Sequence, residues 1–244
     1  MRRIMVIGIG AGSPDHLTLG AIKALQQADV VIAIDKGEEK HDLLGLRKEI
    51  LAAHNSTVPL RTVLDPPRNR KPDDYYAEVQ RWHQARAEAV EQAIVDATDA
   101  DGTAAILVWG DPALYDSTLR ILERFSTPIA ITVIPGITAI QALTAAHHIV
   151  LNRIGEEIVI TTGRKLMDGA RHRNCIVMLD GGTAWLTAST PHTYMWWGAY
   201  LGTDKEIIRS GPAQEIGSEV AKLKTHLRQQ HGWIMDIYML RELD

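Results

Sequence analysis

The chain has 244 residues, enough to bury the core of one large or two modest domains. Hydrophobic residues at 45% and charged residues at 23% are those of a globular protein, and a net charge of −4 gives no overall electrostatic grip on nucleic acid or an anionic membrane. Its one cysteine, Cys175, excludes an internal disulfide and a multi-cysteine metal site, as expected of a cytoplasmic protein.

The opening Met1-Arg2-Arg3 and its apolar run resemble the start of a secretory signal, but three glycines and Pro14-Asp15 break the run, so it reads as a strand and loop. The strand Ile4–Ile7 runs into Gly8-Ile9-Gly10-Ala11-Gly12-Ser13-Pro14. Leu17, Ala21, Ala24 and Ala28 then repeat at helical spacing, and Val30–Ile34 is an apolar run suited to a strand covered on both faces. A helix marked by Leu43, Leu46 and Ile50 follows, then a more polar strand over Val58–Val63. Asp65–Asp74, with three prolines and a basic cluster, reads as a loose segment before a long helix from Asp74 to Ala97. Arg86 falls on the apolar stripe of that helix, either paired or facing a ligand, although snorkelling to the surface is the commoner outcome.

The strand Ala104–Val108 ends in a second loop, Trp109-Gly110-Asp111-Pro112-Ala113-Leu114-Tyr115. A helix over Thr118–Phe125 leads to the strand Ile129–Ile134 and a third loop, Pro135-Gly136-Ile137-Thr138-Ala139, which opens a helix to His148. This alternation predicts a mostly parallel sheet covered by helices. Beyond it, strands over Glu157–Thr162, Cys175–Leu179, Thr193–Tyr200, Glu206–Arg209 and Trp233–Leu240 arrive in close succession, with a helix from Ala213 to Gln229. Turns at Gly181-Gly182 and Gly202-Thr203-Asp204 imply antiparallel pairs. Two α/β domains are expected, residues 1–136 and 137–244, the second with a mixed sheet. No apolar run reaches the ~20 residues of a membrane-spanning helix.

Three glycine-rich loops at strand ends are the strongest signal, because open α/β sheets bind ligands there and glycine admits close backbone approach. The first keeps two glycines of the dinucleotide fingerprint but has Ser13-Pro14 at the third position, so nicotinamide binding is a minor reading, and a plain tight turn is another. Asp111 either caps a backbone N–H or contacts a ribose hydroxyl or an amino group. Arg61, Arg68, Arg70 and Lys71 form either a solvated loop or a clamp for carboxylates. His147 and His148 are adjacent and point apart, which precludes chelation of one metal, and no metal site is expected. Cys175 lies in an apolar strand and reads as an inert buried thiol. Trp196, Trp197 and Tyr200 alternate along a strand, one face core and the other a wall of the site.

Taken together, Val6–Pro14 with Leu17-Thr18, Gly110-Asp111-Pro112 and Pro135–Ala139 resemble the tetrapyrrole methylase superfamily over essentially the full length. Within it, Ile34-Asp35-Lys36-Gly37-Glu38-Glu39-Lys40, Asp42-Leu43, Leu46–Ile50, Asp65–Arg68, Asp74–Tyr76, Trp82-His83 and Trp109 are similar to the branch that methylates C1 of precorrin-5 with release of acetate. The resemblance implies two α/β domains with an S-adenosyl-L-methionine cleft between them. It implies cofactor contacts at Ser13, Pro14, Trp109, Gly110, Asp111, Leu114, Thr138, Ala139, Met178, Leu179, Gly211, Pro212 and Ala213. The first loop departs from the superfamily in being shorter and lacking Gly-Pro-Gly.

By the same resemblance Asp35 is the candidate base for deacylation, with a capping or salt-bridged carboxylate as its alternative. Arg61, Arg68, Arg70 and Arg164 are candidate clamps for substrate carboxylates. The expected partners are a small-molecule tetrapyrrole and a second copy of the chain in a homodimer, with neither nucleic acid nor membrane. The competing functions are another member of the superfamily, acting on a different precorrin, ribosomal RNA or a translation factor, and a nicotinamide-dependent oxidoreductase.

Overall fold

The computed structural model describes residues 1–35, 41–54, 57–69 and 71–243, without the side chains of 41–43 and 46. Arg70 and most of the stretch from Ile34 to Lys40 lie outside the described residues. The chain divides into two compact units: Met1–Gly10 with Pro14–Thr138, and Ala11–Ser13 with Ala139–Asp244.

The first unit is a five-stranded parallel sheet built from β1 (Arg2–Gly8), β2 (Val30–Asp35), β3 (Leu60–Leu64), β4 (Thr103–Val108) and β5 (Ile129–Ile134). Its strand order is β3-β2-β4-β1-β5, and every pairing is parallel. Because side chains alternate along a strand, successive residues enter opposite cores. Met5, Ile7, Val31, Ala105 and Leu107 pack with residues of α1 (Leu19–Leu25) and α2 (His41–Ala53). Ile4, Val6, Val30, Ile32, Ala104, Ile106 and Val108 pack with α3 (Tyr75–Ala97) and α4 (Thr118–Leu122). Sheets covered on both faces need continuous apolar strands, which is why these runs show no polar alternation.

The connection from β1 passes over β4 to β2, whereas the connection from β4 passes over β1 to β5. The carboxyl ends of β1 and β4 therefore form the topological switch point, the usual ligand position in open α/β sheets. On the other flank β2 and β4 part: their register ends at Ile32 opposite Ile106, while β2 stays paired with β3 to Asp35. Arg47 of α2 fills the gap, donating from its guanidinium to the Leu107 carbonyl at 3.2 Å.

The second unit carries a mixed sheet of order β6-β7-β10-β8-β9, made of β6 (Val159–Thr162), β7 (Asn174–Met178), β8 (Thr193–Ala199), β9 (Ile207–Pro212) and β10 (Asp236–Glu242). One face packs Cys175, Val177, Met195, Trp197, Tyr238 and Leu240 against α6 (Gly163–Met167), α7 (Trp185–Ala188) and α8 (Ala213–His231). The other meets α5 (Ala139–Ala146), whose Leu143 lies under Gly198.

Two sequence expectations fail here. β6 and β7 are parallel, not antiparallel: α6 carries the chain back, and a five-residue helix is too short to show an apolar period. Gly181-Gly182 closes no hairpin, because β10 lies between β7 and β8. The Gly202 turn does join the antiparallel pair β8–β9.

Candidate functional site

The three strand-end loops meet at the carboxyl edge of the first sheet, because β5, β1 and β4 are adjacent and parallel. Gly10 and Gly110 exchange backbone hydrogen bonds at 2.8 and 3.3 Å, stitching the first loop to the second. Gly8 lies so close to the third loop that a Cβ there would stand 2.6 Å from the Gly136 nitrogen and 2.7 Å from the Gly110 carbonyl oxygen. A Cβ on Gly136 would collide with that same carbonyl. At this junction the glycines serve contact between backbones first.

Asp111 completes the junction. One carboxylate oxygen accepts from the Ala113 amide at 2.8 Å and the other from the Gly136 amide at 2.9 Å. The capping alternative is thus satisfied, and Asp111 ties the second loop to the third. Gly110, with φ +66°, would place a Cβ near Thr138 Cα alone, at 3.8 Å, so the backbone face there is otherwise open. Tyr115 is held at φ +50° at the end of the second loop. The sequence-assigned residues of the first unit, Pro14, Trp109, Gly110, Asp111, Leu114 and Thr138, offer neutral groups and one carboxylate already bound to backbone. No cationic side chain stands among them, a donor set that suits a nucleoside carrying a positive sulfonium.

Ser13 and Ala139 continue the first and third loops into the second unit. There Gly12 lies against the turn after β8, where a Cβ would stand 2.7 Å from Thr203 Cγ2 and collide with the Leu201 carbonyl. Sequence reasoning missed Leu201 and gave Thr203 no role beyond the Gly202-Thr203-Asp204 turn. Met178 ends β7 and Leu179 follows it, 66% exposed with φ +54°. Its neighbour Asp180 fixes that turn, accepting from the Gly182 and Ala184 amides and the Tyr238 hydroxyl at 2.8–2.9 Å. The buried Lys224 ammonium donates to the Asp180 carbonyl at 2.6 Å and pairs with Asp236 at 2.8 Å. Gly211, Pro212 and Ala213 do not join Leu179: Gly211 shares a row with Met195, Leu240 and Cys175, and β9 runs opposite to β7. They leave from the other edge of the second sheet.

Asp35 ends β2 on the same edge of the first sheet as the three loops, with its carbonyl accepting from the Asp65 amide at 2.9 Å. Arg61 is exposed and pairs with Asp96 at 3.4 Å, and Arg164 is exposed on α6. Arg68 stacks over Trp82 and Tyr75, 5.0 and 5.5 Å from the ring centres. The segment after Asp65 is tied down rather than loose. Trp82 Nε1 donates to the Pro66 carbonyl at 3.0 Å, and the Asn69 amide to Glu78 at 2.8 Å. Arg86 does not snorkel. It is 5% exposed, grips Asp65 through two bonds of 2.6 and 2.5 Å and lies 3.8 Å from the Trp82 ring centre.

Cys175 is buried, and burial pushes its thiol up to about 11. His147 bonds the Trp197 carbonyl at 3.0 Å, and the described residues contain no cluster able to hold a metal ion. No helix among them is long and apolar enough to cross a membrane.

Residues 3–217 match the family model of tetrapyrrole (corrin/porphyrin) methylases. The chain is 42% identical over 250 residues to a precorrin-6A synthase (deacetylating) of Sinorhizobium sp., an alignment covering 99% of this chain and 96% of the relative. It superposes on the crystal structure of a cobalamin-synthesis-related protein, CobF, from Corynebacterium diphtheriae with a TM-score of 0.89 at 52% identity, covering both chains completely. A uroporphyrin-III C-methyltransferase of Thermus thermophilus, solved with S-adenosylhomocysteine, shares the fold at a TM-score of 0.62 and 18% identity, covering 98% of this chain and 97% of that one.

Proposed function

The chain belongs to the tetrapyrrole (corrin/porphyrin) methylase family, and on that premise we propose that it methylates C1 of precorrin-5 and releases the acetyl group as acetate, giving precorrin-6A. The observation that carries this reading is similarity to a deacetylating precorrin-6A synthase over 99% of the chain. The methyl donor in this reading is S-adenosyl-L-methionine, which supplies a methyl group activated on a cationic sulfur.

The first unit holds that donor through Pro14, Trp109, Gly110, Asp111, Leu114 and Thr138, with their chain neighbours Ser13 and Ala139. Transfer of a methyl group from sulfur to carbon needs an in-line approach in an oriented site more than it needs an acid or base. The stitched loops supply rigidity for that orientation. Asp111 orders the loops with both oxygens, so it positions backbone and takes no proton.

Loss of the acetyl group is a separate demand. A base takes a proton from water, the oxygen adds to the ketone carbon and the bond to the ring carbon breaks. The electron pair returns to the conjugated macrocycle as acetate leaves. Asp35 is the proton acceptor in this reading. The enzyme works as a cytoplasmic homodimer on a small-molecule tetrapyrrole, with no nucleic-acid or membrane partner; sedimentation equilibrium at twice the 27.0 kDa chain mass checks the dimer.

Calorimetric titration with S-adenosylhomocysteine and, in parallel, NADH tests the donor. Binding of the first and not the second is expected, and the reverse overturns the assignment. Incubation with methyl-labelled donor and precorrin-5 is expected to give one methyl incorporated per acetate released. For Asp35→Asn, acetate release is expected to fall at least tenfold while bound S-adenosylhomocysteine is unaffected.

A further inference from the structure

His83, in the third turn of α3, is 8% exposed. Among the described residues no group accepts from or donates to its ring, which stacks on Trp82 at 5.4 Å between centres. Arg124, Arg86, Arg120 and Arg68 crowd it, and burial with these four positive charges holds its pKa below the usual imidazole range.

Among the described residues, Arg86 is the one of the four that forms an ion pair, with Asp65. Arg68 lies over aromatic faces and within electrostatic reach of Glu78, Arg124 bonds the neutral amide of Gln80, and Arg120 makes no ion pair among the described residues. The surrounding carboxylates are engaged elsewhere or stand off. Glu78 is taken by Arg81 and the Asn69 amide, Glu88 by Gln84, and Glu91 by Ser126 and Thr127. Glu123 lies between Arg120 and Arg124 in sequence yet pairs with neither. Arg120 and Arg124 beside the nearly buried imidazole, with no carboxylate paired to either among the described residues, create a field that attracts an anion. The planar fork of arginine matches a carboxylate.

We propose that the face where α3 meets α4, formed by His83, Arg68, Arg120 and Arg124, is a carboxylate subsite that takes an acidic arm of the tetrapyrrole. This rests on the reading of the function given above. Its place in the fold suits that role. α4 is launched directly from the second loop, with Asp116 accepting from the Thr118 amide at 2.6 Å. α3 starts from the same edge of the sheet, since β3 is parallel to β2 and hands over there, and His83 lies about 12 Å along it. The side chain of His83 donates to the carboxylate while Arg120 and Arg124 supply the charge.

Two measurements test the subsite. In Arg120→Gln/Arg124→Gln, one exposed and one partly exposed position, the KM for precorrin-5 is expected to rise tenfold or more. The kcat is expected to stay within twofold and the Kd for S-adenosylhomocysteine unchanged. By NMR of histidine-labelled protein, precorrin-5 added to the S-adenosylhomocysteine complex should shift the His83 signals in the wild type and not in the double variant. An unchanged KM, weakened S-adenosylhomocysteine binding, or a His83 shift that survives in the variant overturns the subsite. An equal shift with citrate overturns its assignment to the tetrapyrrole. If wild-type protein turns over precorrin-5 and the variant matches it, the subsite alone falls; if wild-type protein does not, the functional reading falls.

Discussion

Asp111 shows how much one side chain contributes where three loops converge. Its two oxygens accept the Ala113 and Gly136 amides, and hydrogen bonds to charged groups are each worth about 1.5–3 kcal/mol. Asp111→Ala is expected to lower stability by about 2–4 kcal/mol in urea titration and to weaken S-adenosylhomocysteine binding more than tenfold by calorimetry. Gly136→Ala acts through sterics instead, since its Cβ meets the Gly110 carbonyl and backbone must move. The expected result is a lower Tm together with lost donor binding. Cys175 is the contrasting case, a buried thiol raised to about 11. It should resist a thiol reagent at pH 7.5 in the native protein and react fully once unfolded.

At the scale of single elements, α8 and β10 are joined by the buried pair Lys224–Asp236, whose Asp236 also accepts from Trp197 Nε1 at 2.9 Å. Removing one partner of such a pair leaves an uncompensated buried charge and costs about 3–5 kcal/mol. Lys224→Met is expected to lose that much in denaturant unfolding, whereas Lys224→Met with Asp236→Leu recovers most of it. The start of α3 gives a pH-dependent counterpart. Arg81 and the Asn69 amide hold Glu78 down to about 2, from an ordinary 4.5. A depressed carboxylate stabilises the fold above its unfolded pKa and loses that contribution as the acid form takes over. Wild-type stability should therefore exceed that of Glu78→Gln above about pH 4.5, and the two should converge toward pH 2. Because its partner Arg81 is exposed, the gap is expected to shrink in high salt.

Across the whole molecule, the sequence was most legible where strands are covered on both faces. Ile4–Ile7 and Ala104–Val108 announced the parallel sheet, the half-exposed edge strand Ile129–Ile134 was legible from its apolar run alone, and the glycines after the three announced the edge where the loops gather. It was least legible in the second unit, where α6 and α7 are too short for a period and a strand distant in sequence, β10, enters between β7 and β8. Asp111 was read correctly as a cap among its alternatives, yet its bond to Gly136 joins residues far apart in sequence and carries no local pattern. Arg86 was misjudged for the same reason, since Asp65 and Trp82 meet it only through folding. The parting of β2 from β4 has its own consequence. Beyond Ile32 the end of β2 pairs with β3 and no longer with β4, a two-stranded peninsula beside which Arg47 of α2 ties that helix to the Leu107 carbonyl of β4. Deuterium uptake in Arg47→Leu should accordingly quicken over 30–35 and 60–64 while 2–8 and 103–108 stay slow.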